Sequence, residues 1–313
     1  MHKVKLFLGS SHPALGQAII ERLGIDAAAQ TRLRFSNENI LYKVDENVRG
    51  CDAFVLQTAA SPLDKHIVEL LIMLDTLRYS GAEHVCAILP YFPYVRSDKM
   101  DRPGVCITAR LMAQLIQSAG ATHAILLDLH AAQEQAFFNI PTDALTATGI
   151  FVRYLLEEKP INPVLVAPDA GEVKDLLRFA ERLKYPMAVI DKRRFDDSEN
   201  PKAFGIIGDV RGKTAILVDD EIASASTIAS SAQFLHQQGA ARVWALATHA
   251  VFSGNAVEKL EKAPIERVVV TDSLPILPEK HMEKLRILSI AELLSRAITQ
   301  FHRREDISLS LDY

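Results

Sequence analysis

A chain of 313 residues with a formal net charge of −4, 24% charged and 49% apolar residues, is longer than one hydrophobic core usually grows and too apolar for a disordered or fibrous protein. Its charge supplies no general basic field for a nucleic-acid backbone, and no segment approaches the roughly 18 uninterrupted apolar residues of a membrane helix. The expectation is two globular domains of roughly 150 residues each, with no nucleic-acid partner and no membrane anchor.

The N-terminal MHKVKLFLGSSH has too short an apolar run for a signal peptide. It opens a series of β-branched and apolar runs: VKLFLG, DAFVLQT, HVCAILPYF, HAILLDLH, PVLVAPDAG, PMAVID, TAILVDD, RVWALATHA and RVVVTDS. Longer stretches of helical pattern separate them, and this alternation predicts an α/β protein whose sheets are mostly parallel and flanked by helices. One unit recurs as helix, then Gly-Ala, then strand, in SGAEHVCAILPYF, SAGATHAILLDLH and QGAARVWALATHAVFSG. The glycine suits a left-handed helix C-cap, and the strand after it reads as buried. Two copies fall in the first half and one in the second, which predicts two related domains, 1–146 and 147–313. Cys51, Cys86 and Cys106 are odd in number and lack CxxC spacing, which argues against a disulfide framework or zinc site and for a cytoplasmic location.

Ligands of open α/β sheets collect at the carboxyl ends of strands, so the polar residues there are the candidates. PYFPYVRSDKMDR combines aromatic residues with Arg96, Lys99 and Arg102, either an anion clamp or a solvated basic turn. HAILLDLHAAQ ends in Asp128 and His130, and PVLVAPDAGE in Asp169; each offers a ligand atom to a magnesium ion that keeps most of its waters, or is a satisfied structural residue. DKRRFDDSEN carries Lys192 to Arg194 before a polar stretch and reads as a mobile basic loop able to close over a reacting phosphate. GDVRGKT has one residue too few for a P-loop and leads into a strand where a P-loop leads into a helix, so it is expected to be a turn. TAILVDDEIASASTIASSAQFL ends a strand in Asp219 and Asp220, then passes through small and hydroxyl residues into an amphipathic helix. Ser224, Ser226 and Thr227 at that helix start suit a phosphate while the aspartates take sugar hydroxyls or magnesium; the alternative is an ordinary loop with serine N-caps.

Taken together, GSSHPALGQAIIERLG, RFSNEN, ENVRG, ELLIMLDTLR, PYFPYVRSDK, DLH, FFNIP, APDAG, KRR, GDV, VDD and THAVFSG resemble, in the same order and over nearly the whole chain, the ribose-phosphate diphosphokinases. The resemblance implies two tandem phosphoribosyltransferase-type domains, a homo-oligomer built as a hexamer of dimers, and Mg2+-dependent transfer of pyrophosphate from ATP to the anomeric hydroxyl of ribose 5-phosphate. By matching position, Phe35 and Asn37 would frame adenine, with Asn39 beside them. Arg96, Ser97 and Asp98 would lie near the ATP phosphates, and His130 and Asp169 would serve the metal. Lys192 and Arg194 match the flexible catalytic loop, and Asp219 and Asp220 the pair that takes the ribose hydroxyls. Ala223, Ser224, Ala225, Ser226 and Thr227 match the loop for the sugar 5-phosphate. Arg49, Ser308 and Ser310 match positions near an allosteric phosphate or nucleotide site, or are structural.

The acceptor loop departs most from the family pattern, which has an acid, threonine, a small residue, glycine and threonine where this chain has Ala223 to Thr227. A carboxylate and a glycine are lost, changing charge and backbone freedom. Asn39, Ser97, Gly104, Cys106 and Glu172 also differ from the usual residues. Three alternatives follow: a different ribose acceptor, such as ADP-ribose, whose 5-phosphate is already a bridging ester; a non-catalytic subunit that regulates active ones; and a true phosphoribosyltransferase.

Overall fold

The computed structural model describes residues 3–193 and 202–307. In chain order the elements are β1 (Val4–Leu8), α1 (Pro13–Leu23), β2 (Gln30–Arg34), β3 (Ile40–Val44), β4 (Asp52–Leu56), α2 (Leu63–Tyr79), β5 (His84–Leu89), α3 (Thr108–Ser118), β6 (His123–Leu127) and β7 (Thr142–Leu145). There follow α4 (Thr148–Glu158), β8 (Pro163–Ala167), α5 (Val173–Leu183), β9 (Met187–Arg193), β10 (Lys202–Ile207), β11 (Thr214–Glu221), α6 (Ser226–Gln237), β12 (Arg242–His249), α7 (Ala256–Lys262), β13 (Arg267–Thr271), β14 (Leu285–Leu288) and α8 (Ala291–Arg303). Each apolar run named above became a strand. In every copy of the repeated unit the glycine takes a positive φ, +86° at Gly81, +115° at Gly120 and +89° at Gly239, the conformation that lets a helix stop and feed the next strand. Among the described residues no helix is long and apolar enough to cross a membrane.

The described chain falls into two compact units. The first runs to Thr146 and also takes in Ser273–Pro275 and the segment that begins at Ser289. Its sheet is parallel throughout, in the order β1-β4-β5-β6-β7. One face of that sheet, with Phe7, Val55, Ala87 and Leu126, packs on Met73 and Leu77 of α2 and Met112 and Ile116 of α3 in a continuous buried core. Helix α8 packs beside α1, and its Phe301 ring meets Phe54 edge-on at 5.3 Å and His123 at 4.9 Å. Strands β2 and β3 form a separate antiparallel pair, anchored where Arg32 pairs with the buried Glu69 of α2, which also accepts from Ser10 N at 3.0 Å.

A buried carboxylate ties the end of α8 to this unit. Asp52 opens β4 with no exposed surface. It accepts from His302 Nδ1 at 2.8 Å, His84 Nδ1 at 2.9 Å and Arg304 Nη2 at 3.1 Å. Burial by itself would raise its pKa, but the hydrogen bonds from His302, His84 and Arg304 hold the carboxyl below its usual range.

The second unit comprises Ala147–Asp272 and Ile276–Leu288. Its sheet runs β10-β9-β8-β11-β12-β13-β14, parallel except for the β9–β10 hairpin at one edge. From β8 the chain moves to β9 on one side, and β11 then returns to pair on the other side of β8. The order therefore reverses between β8 and β11, the position at which open α/β sheets form a ligand crevice. Val166, Leu217, Ala245 and Val268 of the central strands share one core with Ile228 and Leu235 of α6 and Leu260 of α7. GDVRGKT is a turn: Gly208 and Gly212 have positive φ, Asp209 accepts from Arg211 N at 3.0 Å, and Thr214 opens β11.

Candidate active site

The reversal point brings two acidic strand ends side by side. Strand β8 pairs with β11 from Thr214↔Pro163 to Leu217↔Val166, so the residues just beyond both strands sit at the same edge. Asp169 is half-buried and accepts from Gly171 N at 2.8 Å, closing a small turn before α5. Asp219 and Asp220 lie near the end of β11, and each carboxylate accepts from the next backbone amide: Asp220 N donates to Asp219 Oδ1 at 3.0 Å and Glu221 N to Asp220 Oδ1 at 2.7 Å. Glu172, at the start of α5, joins them, and carboxylate oxygens of Glu172, Asp219 and Asp220 lie within 4.8 Å of one another. Burial, then the charge of Asp220 beside it and Glu172 nearby, pushes the Asp219 carboxyl well above its ordinary range. Such a trio is relieved by a proton, a cation or hydroxyl donors.

The acceptor loop follows directly. Ile222 N donates to His249 O at 2.8 Å, Phe252 N to Ile222 O at 2.9 Å and Ser253 N to Ala223 O at 2.9 Å, so the segment after β12 holds the loop on its inner side. Buried Ala225 takes the left-handed conformation, φ +59°, and Ser226 is the first residue of α6. The positive φ of this loop thus falls on an alanine. The family's glycine falls at Ser226, which lies inside the helix and needs no positive φ; the strained position is its neighbour, Ala225. Ser224 and Thr227 are exposed at the helix start, with the Ser224 hydroxyl donating to Ser226 Oγ at 3.2 Å. Lys259 of α7 reaches the same loop, donating from Nζ to Ser226 Oγ at 2.7 Å and to Ser224 O at 3.2 Å.

Lys192 lies on β9, its backbone opposite Ala203 of β10. Arg194 lies outside the described residues, as do Ser308 and Ser310.

In the first unit, Phe35, Asn37 and Asn39 are brought together at the tip of the β2–β3 hairpin, where Phe35 N donates to Asn39 O at 2.9 Å and Asn39 N to Asn37 Oδ1 at 3.2 Å. Phe35 presents 48% of its surface, an open aromatic face on a firm turn. After β5, Arg96 is exposed while Asp98 is buried. Ser97 braces the start of α3: its Oγ donates to Cys106 O at 3.1 Å and accepts from Thr108 N at 3.3 Å. His130 is exposed just beyond β6. Arg49 is exposed and lies across Gly81, where an added Cβ would come within 3.3 Å of its Nη1.

Sequence reasoning marked Glu172 only as a departure from the family pattern, and the geometry shows that it joins the Asp219–Asp220 group; Lys259 it missed. Lys259 reads as a solvated charge on a short polar helix.

Two family models match the chain: the N-terminal domain of ribose phosphate pyrophosphokinase over residues 4–120, and a phosphoribosyl synthetase-associated domain over residues 198–311. The chain is 41% identical to a ribose-phosphate pyrophosphokinase of Synechococcus elongatus over 310 residues, covering 98% of this chain and 93% of that one. It is 41% identical to that of Wolinella succinogenes over 308 residues, covering 98% and 99%. The crystal structure of phosphoribosylpyrophosphate synthetase from Mycobacterium smegmatis superposes with a TM-score of 0.90 at 38% identity, covering 96% of this chain and 99% of that one.

Proposed function

Since this chain belongs to the ribose-phosphate pyrophosphokinase family, we propose that it makes phosphoribosyl pyrophosphate and AMP from ATP and ribose 5-phosphate, with the residues of the two units in the roles given below. The observation that carries the reading is the crevice of the second unit, where Asp219 and Asp220 lead within a few residues to the N-terminus of α6. A ribose phosphate presents vicinal hydroxyls at one end and a phosphate at the other. Carboxylates accept from the first, and helix-start amides with hydroxyl side chains donate to the second.

The reaction forms a bond between the anomeric oxygen and the β-phosphorus of ATP and breaks the bond from that phosphorus to the bridging oxygen, so AMP leaves and the hydroxyl proton is released. Positioning and charge neutralisation dominate such transfers. Asp219 and Asp220 hold the ribose hydroxyls, and Ser224, Ser226 and Thr227 hold the 5-phosphate. Phe35, with Asn37 and Asn39, offers the stacking face for adenine. Arg96 serves the ATP phosphates, with Ser97 and Asp98 ordering the loop around it. Lys192 and Arg194 supply positive charge as the transition state forms. The gathered oxygen donors Glu172, Asp219 and Asp220 fit a hard cation, Asp169 is a further oxygen donor at the neighbouring strand end, and the nitrogen donor His130 suits such a cation less as a direct ligand. Bound magnesium would neutralise charge on the triphosphate. A cytoplasmic location and assembly as a hexamer of dimers rest on the family resemblance, and Arg49 is assigned to a regulatory anion site on the same ground.

Product analysis of ATP and ribose 5-phosphate incubated with the protein tests the reading. AMP and phosphoribosyl pyrophosphate are expected in equal amounts, with turnover lost on chelation and restored by magnesium; ADP as product would mean ordinary phosphoryl transfer instead. Lys192→Ala is expected to lower kcat by about 100- to 1000-fold, the loss of roughly 3 to 4 kcal/mol seen when a donor to developing charge is removed, with little change in KM. An unchanged kcat would remove Lys192 from the mechanism.

A further inference from the structure

A cation from α7 is held against the acceptor loop at the start of α6. Helix N-termini favour acids and disfavour cations because unpaired amides give them a partial positive charge. The first turn of α6 nevertheless contains no acidic residue, the segment from Ile222 to Thr227 carries no carboxylate, and the ammonium of Lys259 is drawn onto it. Two of the three Lys259 N–H donors go to Ser226 Oγ and Ser224 O, at 2.7 and 3.2 Å, leaving one. Ser226 Oγ accepts from both Lys259 and Ser224, the latter at 3.2 Å, so its own O–H is left to donate outward. A cation and two hydroxyls thus meet at the N-terminus of α6. That arrangement is satisfied by an anion of high charge with several oxygens.

A phosphate monoester carries between about 1.5 and 2 negative charges near neutrality and three terminal oxygens. Once esterified again, the same phosphate keeps one charge and two such oxygens. We propose that Lys259 reads the terminal phosphate of the acceptor as a monoester, making ribose 5-phosphate a far better acceptor than a ribose whose 5-phosphate carries a second substituent. The inference rests on the ribose 5-phosphate reading above and adds the residue that enforces it. A lysine suits this role as a compact point charge on a flexible stem.

Steady-state kinetics of the wild type, Lys259→Gln and Lys259→Arg test it. Glutamine keeps an N–H donor for Ser226 and the Ser224 carbonyl but removes the charge; arginine keeps the charge. Lys259→Gln is expected to raise KM for ribose 5-phosphate by about 10- to 100-fold, the worth of one charge-assisted contact, while kcat and KM for ATP stay near wild type. Lys259→Arg is expected to recover most of the loss. With the wild type alone, the 5-(methyl phosphate) ester of ribose is expected to be at least about 10-fold poorer in kcat/KM than ribose 5-phosphate, by the same charge argument. If Lys259→Gln binds ribose 5-phosphate as the wild type does, or if the wild type takes the methyl ester equally well, Lys259 is only a brace for the loop and the inference is overturned. Failure of the wild type to use ribose 5-phosphate at all would instead overturn the underlying functional reading.

Discussion

Replacing Asp219 with asparagine is expected to give a protein that is more heat-stable than the wild type and nearly inactive. The carboxyl sits half-buried at the end of β11 with Asp220 and Glu172 beside it, and burial plus these like charges raise its pKa well above the ordinary carboxylate value. A group whose folded-state pKa is raised contributes stability that is fully present below the unfolded value, about 3.9 for an aspartate, and lost as pH rises through the folded value. In metal-free buffer the wild type should therefore lose stability relative to Asp219→Asn as pH rises from about 4. Asparagine preserves the acceptor oxygen for Asp220 N, so the turn survives. A gain of about 0.5 to 2 kcal/mol, common when a strained functional group is neutralised, corresponds to a rise of roughly 1 to 8 °C in Tm at the 2 to 4 °C per kcal/mol of domains this size. Loss of an anionic acceptor for the ribose hydroxyls is expected to cut kcat/KM by about 100- to 1000-fold. Melting curves at a series of pH values in chelator would show the gap between the two proteins opening as pH rises; parallel curves would mean that Asp219 is not under electrostatic strain.

The second large effect is structural. Asp52→Ala removes a fully buried carboxylate and leaves His84, His302 and Arg304 facing the space it filled. Breaking a buried pair from one side typically costs 3 to 5 kcal/mol. Here the Arg304 side chain keeps 46% of its surface exposed and adds little, so a loss of about 3 kcal/mol, or roughly 6 to 12 °C in Tm, is expected. The pH sign is opposite to that at Asp219. Because the folded-state pKa of Asp52 is depressed, its contribution is present above the unfolded value and disappears as pH falls through the folded one. The wild type and Asp52→Ala should differ most at neutral pH and converge in acid. Combining Asp52→Ala with His302→Ala should cost less than the sum of the two; strict additivity would show that the two groups do not share one interaction.

The parts of the fold legible in the sequence were those written in local pattern. Runs such as AILVDD and VLVAPD are buried on both sheet faces and read as continuous apolar segments, and the glycine after each of three helices marked its stop. Strands β2 and β3 were missed because QTRLR and ILYKV pair only with each other and, apart from buried Tyr42, are half-buried or exposed, so no long apolar run announces them. The short strands TDAL and LRIL hold too few β-branched residues to stand out. The tie between Asp52 and α8 spans 250 residues, a distance over which no periodicity speaks. At the candidate site, Asp219 and Asp220 were visible because two acids at the end of an apolar strand are out of place there. Glu172 and Lys259 reach the site from neighbouring elements and became visible only once β8 lay beside β11 and α7 beside α6.

The most direct test of the central claim is AMP release from magnesium-ATP by the purified protein, with ribose 5-phosphate and ADP-ribose compared as acceptors at equal concentration. Release with ribose 5-phosphate and little with ADP-ribose is the predicted result. Release with ADP-ribose alone would assign the acceptor loop to a different substrate, and no release with either would contradict the enzymatic reading and leave a regulatory subunit.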